Sequence, residues 1–141
     1  MNSALEEVAA AIDGMEFERA RRILSTREAF GGDDLQNKFY GALVSFTEYL
    51  CTRDSACLTG AVVLAREVIE REPRHLECHA LLAQSYAALG YLGDGQGLRL
   101  AWHHYEIARG LAVDQGFEIE ADRIRTLGEE VGNAACSMDS S

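Results

Sequence analysis

Seven successive stretches of this chain place apolar residues three and four apart, the interval of one helix face. Alternating Val, Ile and Thr runs of the kind that mark strands are absent. The pattern therefore predicts an all-α chain of about seven helices. Leu5, Val8, Ala9 and Ile12 open the series and are stopped by Asp13-Gly14. Phe17, Ala20, Ile23 and Leu24 follow, ending before the breaker Gly31-Gly32. Asp33-Asp34 is placed to cap a third helix carrying Leu35, Phe39, Ala42, Leu43, Phe46 and Leu50. In the turn Thr52-Arg53-Asp54-Ser55, Asp54 or Ser55 is placed to cap a fourth, Leu58 to Ile69, which Glu72-Pro73 closes. Leu76 to Leu89 make a fifth, followed by a loop from Gly90 to Gly97 that holds four glycines. Leu98 to Leu111 and Phe117 to Val131 give the last two, and the small polar residues 133–141 read as a frayed tail.

The helices group as three hairpins, about 3–30, 33–72 and 74–115, with a capping helix over 116–132. This predicts one domain over 1–132. Ala20, Ala61 and Ala101 take equivalent places in the second helix of each pair, 41 and 40 residues apart. Leu24, Ala65 and Tyr105 lie four residues beyond each. Small residues near Ala9, at Ala42 and at Ala83 would let each first helix approach its partner closely.

These residues resemble the tetratricopeptide (TPR) repeat, most specifically in the third pair. Leu82-Ala83 and Tyr86 match the family's first helix, Ala101, Tyr105 and Ala108 its second, and Pro73 falls where the family's closing Pro falls. The first pair matches only through Phe17, Ala20 and Leu24. The period is longer than that of the plain repeat. The loop Gly93-Asp94-Gly95-Gln96-Gly97, followed by Ala101-Trp102, is similar to the SEL1-like variant. The resemblance covers about residues 3–115 and implies a right-handed stack of antiparallel hairpins, a small α-solenoid. A HEAT-like pair stack and an unrelated helical bundle are the other arrangements such hairpins allow.

The resemblance also implies a concave face, lined by the first helix of each pair, that takes a peptide or a partner helix. By helical register the groove residues are Gln36, Phe39, Tyr40, Leu43 and Thr47 on the third helix, and Glu77, Ala80, Gln84 and Ala87 on the fifth. The alternative for Phe39 and Leu43 is that they pack the hairpin core. A carboxylate clamp of the chaperone-tail-binding TPR type is not expected. The matching positions are Leu5, Ala9, Phe39, Leu43, Glu77 and Leu81, and none is a cation.

Lys and Arg total 13 against 23 Asp and Glu, a net charge of −10. That balance argues against nucleic acid and anionic membranes and favours a basic partner through steering. No apolar run is long enough for a membrane span, and the first residues lack a signal-peptide pattern, so the expected compartment is cytoplasmic. Arg19, Arg21, Arg22 and Arg27 form the only basic run, and interleaved Glu16, Glu18 and Glu28 read it as helix-surface ion pairing. Cys51, Cys57, Cys78 and Cys136 form no Cys-x-x-Cys and read as free thiols.

His75 and His79, four apart, with His103-His104 one hairpin later, are the nearest thing to a metal set. They lack a nearby carboxylate or Cys cluster at ligand spacing and read as ordinary half-buried histidines. The glycine loop lacks the Lys-Ser/Thr of a phosphate cradle, follows a helix and reads as a turn needing positive φ. No cofactor or catalytic residue is expected. The sequence reads as a non-enzymatic interaction module, an adaptor or dedicated chaperone. The alternative is a self-assembling scaffold, and a metal-dependent enzyme using His75, His79 and His103 is the remotest reading.

Overall fold

In the computed structural model, which describes residues 3–31 and 34–139, seven α-helices follow one another with no strand between them. They are α1 (Ser3–Asp13), α2 (Phe17–Ala29), α3 (Asp34–Thr52), α4 (Ser55–Arg71), α5 (Leu76–Tyr91), α6 (Gly97–Asp114) and α7 (Glu118–Asp139). Gly32 and the expected cap residue Asp33 lie outside the described residues. Packing gathers into two compact units, Met1–Arg71 and Glu72–Ser141. The helix limit that differs from the pattern is the last. Residues 133–139 continue α7 where the pattern predicted a frayed tail, because Asn133-Ala134-Ala135 holds no breaker and alanine favours the helix.

In the first unit, α1, α2 and α3 close over Leu5, Val8, Ala11, Ala20, Leu24 and Val44. The small contact residue of α1 is Ala11, which is fully buried, and Ala9 is only half-buried. Asn37 is buried on α3, donates to the Leu24 carbonyl at 3.1 Å and accepts from Arg27, tying α3 to α2. Between α3 and α4 the backbones pass closely. A Cβ on Gly41 would meet Leu64 Cδ1 at 3.0 Å, and Lys38 bridges to Glu67 at 2.6 Å. Asp54 caps α4, its Oδ1 accepting from the Ala56 N–H at 3.0 Å.

In the second unit α5 and α7 both pack on α6. Ala83, Ala101 and Ala108 are fully buried, and so are Ala20, Ala42 and Ala61 in the first unit. The α5–α6 hairpin is closed by glycine on glycine. A Cβ on Gly97 would lie 2.6 Å from both Gly90 N and Tyr86 O, and one on Gly90 would lie 2.7 Å from Leu98 N. The glycine loop is therefore mainly a steric device. Only Gly93 takes a positive φ, +112°, at the end of α5, with Asp94 N bonded to Leu89 O at 3.0 Å.

Two other helix ends close in the same way. Phe117 N bonds Ala112 O at 2.8 Å past Gly116, φ +78°. Glu16 N bonds Ala11 O at 2.8 Å past Met15, φ 60°. At the end of α1 the left-handed residue is thus Met15 rather than Gly14, against its own steric preference.

Gly97→Ala is expected to lower stability by about 3 kcal/mol, since backbone atoms rather than a flexible side chain must give way. Gly95→Ala, with nothing within 4 Å of its Cβ position and no positive φ, is expected to leave stability unchanged or slightly raised. Urea denaturation of the two variants checks both.

Candidate functional site

The nine groove residues divide between the units, five on α3 of the first and four on α5 of the second. On α3, Gly41 and Ser45 face α4, while Asn37, Tyr40 and Val44 face α1 and α2. Tyr40 packs against the first unit's core and holds Phe39 edge-on, ring centroids 5.4 Å apart. Phe39 and Leu43 lie on the third side of α3 and are half-buried; Gln36 is exposed and Thr47 half-buried on the same side. Helical register continues the apolar line through Phe46 to Leu50, which is 48% exposed. Phe46 and Leu50 were visible as members of the apolar set, but they fall outside the positions that the repeat resemblance assigns to a groove. On α5, Glu77 and Gln84 are exposed and Ala80 is half-buried, whereas Ala87 is buried.

The densest group of polar aromatic side chains lies in the α5–α6 hairpin. His75 is not in the helix body but caps α5, its Nδ1 accepting from the Cys78 N–H at 3.1 Å. His79, 4% exposed, joins Nε2 to the Pro73 carbonyl at 2.8 Å and Nδ1 to His104 Nδ1 at 3.0 Å. A carbonyl only accepts, so Nε2 of His79 carries its hydrogen. In the neutral ring Nδ1 is then bare, and His104 Nδ1 donates to it. His104 lies between His79 and Tyr86, ring centroids at 5.2 and 5.7 Å.

Sequence reading grouped His103 with His75 and His79. The partner of His79 is instead His104, because position 104 rather than 103 turns toward α5. Among the described residues no group of three or more His, Cys, Asp or Glu is arranged to hold a metal ion.

The titratable groups that move from their ordinary values all move toward the neutral form. Burial pushes the Cys78 thiol up to about 12, with Glu77 and Glu72 adding to it. The Tyr105 phenol also rises to about 12, through burial and then Tyr91 and Glu130. Cys57 is raised, first by burial and then by Glu48 and Asp54. His79 is lowered below 6.5 by burial, against the raising effect of the Pro73 carbonyl; His103 and His75 lower it further. A thiol held protonated is a poor nucleophile. None of the four cysteines is in a disulfide, and Cys51 and Cys136 are exposed.

Comparison with family models, curated proteins and solved structures finds no match to this chain. Among the described residues no helix is long and apolar enough to cross a membrane.

The folded protein binds a proton at His79 less readily than the unfolded chain does. The stability this group contributes is therefore full above 6.5 and declines as pH falls toward the lowered folded value. Thermal melts at about pH 7 and about pH 5 should show that decline, and His79→Gln should flatten it. Thiol labelling of the native protein should modify Cys51 and Cys136 first. Cys78 should react only once the chain is unfolded.

Proposed function

We propose that this protein is a non-enzymatic, TPR-like interaction module, an adaptor or dedicated chaperone. In this reading Phe39 and Leu43 of α3, continued by Phe46 and Leu50, receive a peptide or partner helix. The observation that carries it is the position of this apolar line on α3, on a side other than those that Gly41 and Ser45 turn to α4 and Asn37 and Val44 turn to α1 and α2. Half-buried Phe and Leu four residues apart form the usual ridge for helix-in-groove or peptide anchoring. Gln36 and Thr47 beside them supply hydrogen-bonding groups at the edge, and Glu77, Ala80 and Gln84 are the corresponding positions on α5. The net charge of −10 favours a basic partner.

Capture from host lysate tests the proposal. The wild type should retain a partner that Phe39→Glu/Leu43→Glu loses, while the far-ultraviolet dichroism of the variant stays helical. Retention of the same partner by the folded variant would remove α3 as the docking face.

Self-association is the second reading. It is favoured by apolar side chains exposed at one end of the second unit, Phe117 at 52% and Ile119 at 82%.

A further inference from the structure

Phe117 and Ile119 belong to a cavity of about 670 Å³ at the N-terminal turns of α5 and α7. Leu76, Phe117 and Ile119 are its apolar lining. Its charged lining is Glu77, Glu118 and Glu120, with no Lys or Arg. Arg123 stands 3.5 Å from Glu120, whereas His75 Nδ1, 3.6 Å from Glu77, already accepts from the Cys78 N–H and brings Glu77 no hydrogen, so the rim remains acidic. The acids have a structural use, since carboxylates favour helix N-termini. The exposed phenyl ring and isoleucine between them are not explained by that use.

The first unit carries the opposite surface. A second cavity, of about 490 Å³, lies on α1 and α2 and is lined by Arg19, Arg22 and Arg27 against the single carboxylate Glu7, with Ile23 and Thr26 between them. One turn further along the same face stands Phe30, 87% exposed, at the end of α2. Arg19 is engaged only by exposed Glu16, at 3.5 Å. Arginines flanking an apolar side chain are the counterpart that an acid-rimmed apolar hollow requires, in charge and in surface type.

We propose that copies of this chain associate head to tail. The arginine face of α2 from one copy, with Phe30 at its end, seats on the acid-rimmed cavity between the N-terminal turns of α5 and α7 of the next. The two surfaces differ, so the contact is heterologous and propagates into a chain or closes into a ring. This inference rests on the self-association reading and leaves the α3 face for another partner.

Sedimentation velocity of the full chain over a wide concentration range tests it. The wild-type mass should rise with concentration and fall back as salt is added. Glu118→Arg/Glu120→Arg and Arg19→Glu/Arg22→Glu should each weaken association by about tenfold or more, because each leaves two like-charged ends. Mixing the two variants should restore assembly, since every junction in the mixture is again complementary. Restoration also shows that both variants are folded. Ile119→Asp, at a site already exposed, should weaken assembly without any change at α2.

A wild type that stays monomeric at every concentration overturns both this proposal and the self-association reading. A concentration-dependent mass untouched by either charge reversal overturns this interface alone. Variants that fail to assemble when mixed, though each is helical by circular dichroism, also overturn it.

Discussion

Close approach between helix backbones is the constraint on which the rest of this structure depends. Small residues stand at the contact of each helix pair. Ala20, Ala61 and Ala101 are fully buried on the second helices, Ala11, Ala42 and Ala83 on the first, and Gly90 meets Gly97 backbone to backbone. On α7, Gly128 and Gly132 admit Tyr105 and Trp102 of α6, which a Cβ would meet at 3.2 and 3.0 Å. Small contacts of this kind bury little area each. Their effect is to bring the flanking Leu, Val and Tyr side chains into register, and those side chains supply the apolar burial. Large residues are thereby pushed toward the outer faces, which is where Phe39, Leu43 and Trp102 are found.

Polar groups then complete what packing begins. Asn37 ties α3 to α2, while Asp54 caps the start of α4 and His75 the start of α5. The two caps satisfy backbone N–H groups that would otherwise lack partners. The His79–His104 pair differs, since it joins two helices through a single shared hydrogen. Burial of His79 disfavours a second proton there.

The number, order and approximate limits of the helices were legible in the sequence because apolar spacing and breakers agree at nearly every boundary. The buried alanines were legible for the same reason, as a repeat of 41 and then 40 residues. Other features depend on three-dimensional neighbours and were not. The glycines of the α5–α6 loop suggest backbone freedom, yet two of them are demanded by contact and only Gly93 by φ. Gly14 looks like the stop of α1, whereas Met15 adopts the left-handed turn. Tyr40 reads as a groove residue from its register and turns into the first unit's core. His79 finds His104 through the angle at which α6 lies along α5, which no spacing in one chain encodes.

The contact between Gly90 and Gly97 also has a bearing on ancestry. Surface residues of these helices are free to drift, and even the buried alanines accept an occasional serine or glycine without closing the gap between helices. A Cβ on Gly97 would strike only main-chain atoms of α5, and one on Gly90 would strike both the main chain and the side chain of Leu98. A distant cousin that keeps this hairpin keeps both glycines and the helical turn before the first, whatever the length of the loop between them. Two glycines facing each other across a helix hairpin are therefore a more durable mark of descent than the spacing of the buried alanines.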